Sequence, residues 1–205
     1  MKKLITFSAV SIFLFTACKP SQEFASEKKS TLTIAFGSCN DQNLLNPLWD
    51  EVLANKPLVW IWGGDNIYSD TFDMAKMKAD YELQMQQPDY AKVVKSIKIN
   101  GTWDDHDYGL NDGGKEFAKK TEAQQLLLDF LGVEKNNERR KREGVYGSDT
   151  FGKGNRLVKV IFLDTRYFRD ALTKVGGPKR YSPNAYGQGT LLGEAQWQWL
   201  EEELK

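Results

Sequence analysis

Four stretches of the chain, 32–36, 58–62, 97–103 and 157–163, are apolar and rich in β-branched or aromatic residues, the pattern of buried or half-buried strands. Three other segments carry apolar residues at helical spacing. One starts at Asn46-Pro47, an N-cap followed by proline at the first helical position, and bears Leu48, Trp49, Val52 and Leu53. The second, 115–131, turns Phe117, Leu127, Leu128 and Leu131 inward and meets Gly132 just past its end. The third runs from about Gly193 to the last residue, with Trp197, Leu200 and Leu204 on one stripe. Strands alternating with helices predict a layered α/β domain. Trp60, Trp62, Trp103, Trp197 and Trp199 are expected in the core or at its edge. The charged run 136–143 is expected as a solvated loop.

The start of the chain departs from this pattern. Met1-Lys2-Lys3 precedes an apolar run, 4–15, too short to span a bilayer comfortably, which ends at Thr16-Ala17-Cys18. The segment resembles a bacterial lipoprotein signal, with cleavage before Cys18 and lipid on its thiol; an ordinary secretory signal is the alternative. The expected division is a signal peptide at 1–17, a polar tether at 18–30 and a domain at 31–205. Acyl chains would hold such an exported protein to a membrane surface of the cell envelope, periplasmic or outer, without a transmembrane helix.

Composition narrows the chemistry. Lys+Arg and Asp+Glu both number 28 in 205 residues, which excludes a polybasic nucleic-acid binder, so no specific nucleic-acid binding is expected. Two cysteines are too few for a disulfide scaffold, and a single histidine excludes a site built from several imidazoles of this chain. With Cys18 lipidated, Cys39 has no disulfide partner; it is either deeply buried or occupied by chemistry.

Three of the predicted strands end in polar clusters. After 34–36 comes Gly37-Ser38-Cys39-Asn40-Asp41; after 59–62 comes Gly63-Gly64-Asp65-Asn66-Ile67-Tyr68-Ser69-Asp70; after 99–103 comes Asp104-Asp105-His106-Asp107-Tyr108. Ligands of α/β sheets bind at the carboxyl ends of strands, so parallel neighbours would bring these loops to one edge. Carboxylates, a thiol, a phenol and an imidazole would meet there. So many like charges in one dry pocket call for cations. Hard oxygen ligands suit Ca²⁺, Mg²⁺ or Mn²⁺, and thiolate with phenolate suits trivalent iron. Taken singly, each cluster also reads as an ordinary turn, an acidic surface loop or a small buried cysteine.

Together the clusters resemble a known family. Gly64-Asp65-Asn66-Ile67-Tyr68 matches the Gly-Asp-x-x-Tyr motif of dinuclear metallophosphatases, and Trp103-Asp104-Asp105-His106-Asp107 is similar to their Gly-Asn-His-Asp/Glu block, with Asp105 in place of Asn. The order Phe-Gly-Ser-Cys39, Gly-Asp65-x-x-Tyr68, Asp105-His106-Asp107, Leu-Asp164-Thr-Arg166 resembles the alkaline phosphatase D (PhoD-like) branch, over about 31–205. The resemblance implies a metallophosphatase-like α/β sandwich, incomplete at the C-terminus, and two or more metal ions, iron and/or calcium. It implies that Asp65 bridges two ions, that Cys39 and Tyr68 hold one and that Asp105 holds the other. His106 would stabilise the transition state or protonate the leaving alkoxide. Arg166 would grip a phosphate oxygen. Asp164 and Asn66 would bind metal or orient the phosphate, with a plain ion pair as the alternative for Asp164 and Arg166.

The implied activity is hydrolysis of phosphomonoesters or phosphodiesters, with a phosphoester substrate and a membrane surface as partners. The sequence stops at Glu201-Glu202-Glu203-Leu204-Lys205 without the later strands and metal-binding histidines that the resemblance leads one to expect. The rival reading is therefore a non-catalytic surface lipoprotein that binds metal or a phosphorylated ligand.

Overall fold

Alternate residues of the second apolar stretch are tryptophans, and that alternation builds the core. The computed structural model of the chain describes residues 31–177 and 180–205. The expectations for the signal, for Cys18 and for the tether lie outside the described residues. Three predicted strands form one parallel sheet in the order β1 (Ile34–Gly37), β2 (Val59–Gly63), β3 (Lys98–Thr102). On one face, Trp60 and Trp62 of β2 project into a layer of helices. There Trp62 meets Trp49 of α1 (Trp49–Ala54) at 5.6 Å between ring centroids, Tyr90 of α3 (Pro88–Ser96) at 5.7 Å and Phe130 of α5 (Lys120–Phe130) at 6.2 Å. The indole N–H of Trp62 donates to the Tyr90 hydroxyl at 2.9 Å, so the buried polar atom is satisfied. Gly101 faces Trp62 across the β2–β3 ladder, and a Cβ there would sit 2.2 Å from the Trp62 carbonyl oxygen. Strand β1 is an edge strand, and its Phe36 is 81% exposed.

Between β2 and β3 the chain forms two helices that the hydrophobic pattern did not predict, α2 (Met74–Gln86) and α3. Both carry legible starts. The Asp73 carboxylate accepts the N–H groups of Ala75 and Lys76 at 2.9 and 3.3 Å, and Pro88 opens α3 at its first turn. The first predicted helix begins later than Asn46-Pro47, because the Asn46 side chain accepts the Leu48 N–H at 3.0 Å in a turn and α1 starts at Trp49. Likewise α5 starts at Lys120 rather than 115, although Phe117 is buried as expected. Its end follows the prediction. Gly132 has φ +68°, its N–H bonds to Asp129 O at 3.0 Å, and Val133 N–H bonds to Leu128 O at 2.9 Å, a Schellman closure.

The fourth predicted strand, β5 (Val158–Phe162), does not join the parallel sheet. It pairs antiparallel with β4 (Gly147–Phe151), a polar strand absent from the sequence reading. Only six residues separate the two, which permits a hairpin but no crossover. The chain leaving β5 still reaches the sheet, for the Thr102 hydroxyl donates to Leu163 O at 2.9 Å. The charged run is not simply solvated. It forms a 3₁₀ turn at Glu138–Arg140, and the buried Arg139 guanidinium donates to Asn100 Oδ1 at 2.7 Å, to Gly101 O at 2.9 Å and to Val145 O. A cation is tolerated there because each of its guanidinium nitrogens meets an oxygen acceptor.

The last helix, α6 (Gly193–Glu203), turns a different face inward from the predicted one. Trp197 is 54% and Leu204 71% exposed, whereas Gln196 is fully buried. Its amide donates to Asp164 O at 2.8 Å and accepts the Asp164 N–H at 2.7 Å, so polar pairing outweighs the apolar stripe. A two-residue ladder, β6 (Thr173–Lys174) with β7 (Tyr181–Ser182), lies between β5 and α6 in the chain. No helix among the described residues is long and apolar enough to cross a membrane.

Candidate metal centre

Parallel strands deliver the three polar loops to one edge of the sheet, as the strand order requires. Backbone bonds stitch the loops together. Cys39 N–H donates to Gly64 O at 3.2 Å, Asn40 N–H to Asp65 O at 2.9 Å, and the N–H groups of Ser69 and Asp70 to His106 O at 3.3 and 3.2 Å. Tight curvature follows from left-handed backbone at Cys39 (φ +59°), Gly64 (φ +109°) and Asp65 (φ +50°). Gly64 is obligatory, since a Cβ would lie 2.6 Å from the Asp104 nitrogen.

Asp65, Asp105 and His106 each offer a ligand atom within 4.8 Å of the others. The Cys39 thiol lies 3.6 Å from Asp65 Oδ2. Cys39 is a free, exposed cysteine, so of its two readings deep burial is ruled out. Asp65 is buried, and among the described residues its Oδ1 has no hydrogen-bond partner. Burial first, and then the Asp104 charge, push its carboxyl above the usual carboxylate range. An orphaned carboxylate oxygen beside a second carboxylate and a thiol is the donor set that a cation completes, so these residues fit a metal. Asp105 stands at the start of the short helix α4 (Asp105–Tyr108), where its Oδ2 accepts the Asp112 N–H at 2.8 Å and the Asn111 amide at 3.3 Å.

Tyr68 is half-buried with its ring 4.4 Å from the His106 ring. Its hydroxyl is pushed up to about 12 by burial first and then by the Asp65 charge, so a cation is needed to draw off its proton. Its backbone is gripped by Gln42, which accepts the Tyr68 N–H at 2.8 Å and donates to Tyr68 O at 3.0 Å. His106 Nδ1 lies 2.6 Å from Asp70 Oδ2. Burial pulls the imidazole down, but the Asp70 bond and charge, followed by the Asp105 and Asp65 charges, outweigh it and raise the pKa. A histidine that holds its proton suits proton donation better than ligation as a neutral ring.

Arg166 is buried, with its guanidinium paired to Asp104 and its Nη2 3.5 Å from Asp105 Oδ1; its Nη1 has no partner among the described residues. Asn66 donates its amide to Thr102 O at 3.0 Å, and its buried Oδ1 is unpartnered in the same sense.

For Asp164 the hydrogen bonds favour the orienting option over metal ligation. Its fully buried carboxylate accepts the Trp103 indole N–H and the backbone N–H groups of Arg166 and Tyr167 at Oδ1 and the Val145 N–H at Oδ2, each at 2.9 Å. It orients the backbone of Arg166 instead. Asp107 is similarly fully buried and receives three N–H donors, from Asp65 and Asn66 at 3.2 Å and from Asp104 at 2.8 Å. Burial pushes its carboxyl well above the usual range, with the bonds from Asp104 and Asn66 acting in the opposite direction. The sequence reading did not single out Asp70, Asp104, Asp107, Gln42 or Gln196. The first three sit inside quoted motifs; nothing in the sequence marks the glutamines.

The topology and the cup define an α/β protein with a metal-type site at the strand ends. The chain belongs to the PhoD-like phosphatase family, whose model matches residues 34–205. That family is metal-dependent. The fold is similar to a solved structure titled "Structure of PhoD", with a TM-score of 0.68 at 20% identity, covering 84% of this chain and 39% of that one. The chain thus spans well under half of that structure's length. No curated protein matches the sequence.

Proposed function

We propose that this chain carries the metal-binding and proton-donating half of a phosphoesterase that hydrolyses phosphomonoesters or phosphodiesters. The supporting observation is the convergence of Asp65, Asp105 and His106 within 4.8 Å, with the Cys39 thiol 3.6 Å from Asp65. Asp65, Cys39, Tyr68 and Asp105 would hold the metal ions, with thiolate and phenolate favouring trivalent iron and carboxylates accommodating calcium. Metal ions bound there supply Lewis acidity and a nucleophilic water at neutral pH.

The chain's own groups do the rest. Asp70 fixes Nδ1 of His106, which directs the opposite ring nitrogen, Nε2, to the proton delivered to the leaving alkoxide. Arg166, tethered by Asp104, would offer a phosphate oxygen its Nη1, which has no partner among the described residues. The lipoprotein-like segment ending at Cys18 supports attachment of the exported protein to an envelope membrane.

The test is hydrolysis of p-nitrophenyl phosphate and bis(p-nitrophenyl) phosphate with and without added metal, in the wild type and in Asp65→Ala and His106→Ala. Metal-dependent turnover lost in both variants supports the proposal; unchanged turnover and metal content in both rejects it. A second reading, metal or phosphorylated-ligand binding without turnover, is favoured by the single histidine of the sequence. Retained metal with no hydrolysis of either ester would select it.

A further inference from the structure

We infer that Asp107 is a positioning residue that sets the metal cup from behind, without itself touching metal or substrate. This inference rests on the metal reading of the site given above. Its carboxylate is fully buried and lies between two loops that are 42 residues apart in sequence. Oδ1 accepts the Asp65 N–H at 3.2 Å and the Asp104 N–H at 2.8 Å; Oδ2 accepts the Asn66 N–H at 3.2 Å.

Two of these donors belong to the segment whose conformation is costly. Asp65 has φ +50°, a region that non-glycine residues enter only when their surroundings impose it. The carboxylate of Asp65 leaves the backbone at that point, so its aim depends on the N–H groups beside it. The third donor, Asp104, holds Arg166 and immediately precedes Asp105. One carboxylate therefore ties the Asp65 loop to the start of α4 and fixes the spacing of the two ligand carboxylates. The bond to Asp104 closes a capping box, with Asp107 in the role usually taken by Glu or Gln. The two bonds to Asp65 and Asn66 have no capping function. Outer groups that orient ligands carry about 10–100-fold in metal affinity when removed.

Asp107→Asn tests this with little change of shape. The amide keeps one acceptor oxygen but turns an N–H₂ toward at least one backbone N–H, so one bond is replaced by a clash of donors. Amide hydrogen exchange on the full chain without metal is the first readout. The inference expects slow exchange at Asp65, Asn66 and Asp104 in the wild type and at least 10-fold faster exchange at one or more of them in the variant. Equal exchange in both proteins overturns it.

The second readout is the Mn²⁺ dissociation constant, with Gln124→Ala as a control for loss of stability. Gln124 is buried and bonds Arg139 O and Arg142 O away from the cup. Asp107→Asn should weaken Mn²⁺ about 10–100-fold, while Gln124→Ala leaves it within about 3-fold. Equal weakening in both variants, or none in Asp107→Asn, reduces Asp107 to a structural role. Failure of the wild type to bind Mn²⁺ at all contradicts the metal reading, and is told apart because the exchange measurement needs no metal.

Discussion

Nδ1 of His106 lies 2.6 Å from Oδ2 of Asp70, and the two residues come from different strand-end loops. The pair fixes which ring nitrogen is committed and raises the affinity of the imidazole for its proton. The ordinary histidine value is 6.5. With the folded-state pKa above it, protonation of His106 favours the fold; this contribution is complete below pH 6.5 and is lost as pH rises through the raised value. NMR titration of the metal-free chain should place the His106 midpoint above 6.5. Asp70→Asn should bring it down toward the ordinary value and move the alkaline limb of any turnover profile in the same direction. A midpoint unmoved by that substitution would contradict the pairing.

Asp65 is expected to trade stability for binding. Its folded-state pKa is raised above the ordinary 3.8, so the metal-free fold gains from its proton below pH 3.8 and loses that gain as pH rises through the raised value. Asn keeps the shape, tolerates the left-handed backbone and removes the buried charge. At neutral pH in chelator, Asp65→Asn should therefore stabilise the chain by about 0.5–2 kcal/mol, seen as a higher melting temperature. In Mn²⁺ the order should reverse, because only the wild type gains stability from the ion.

Gly64 should tolerate no side chain. Its φ of +109° and the 2.6 Å approach of a Cβ to Asp104 make Gly64→Ala destabilising by on the order of 1–3 kcal/mol. Chemical denaturation would measure this, and a change below about 0.5 kcal/mol, the range of ordinary surface substitutions, would contradict it.

Cys39 is exposed and free, so it should react with a thiol reagent in the chelated protein. Iron or Mn²⁺ that engages its sulfur should slow that reaction at least 10-fold, a protection that Asp65→Ala abolishes. Equal labelling rates with and without metal would remove Cys39 from the ligand set.

How much of this was legible depends on the residue. Trp60 and Trp62 announced a buried strand, and the Gly-Gly-Asp that follows announced the loop at its end. Helix α2 was hidden because its buried face is Met77, Tyr81 and Gln84, too polar to register as an apolar stripe. Strand β4, Gly-Ser-Asp-Thr-Phe, owes its existence to pairing with β5 rather than to its own composition. Trp197 misled for the converse reason, since α6 is docked through the amide of Gln196. At the site, the sequence assembled the right loops but could not sort their carboxylates. Asp107 and Asp164 accept three and four N–H donors, and Asp65 is left with one oxygen that has no partner among the described residues. Hydrogen bonds from backbone groups decide that division, and they exist only once the loops have met.

Anomalous diffraction from crystals of the chain grown with Mn²⁺ tests the cup most directly. The account predicts a manganese peak within coordination distance of both Asp65 and Asp105, lost in Asp65→Ala. A peak elsewhere on the molecule, with the cup empty at saturating Mn²⁺, would contradict it.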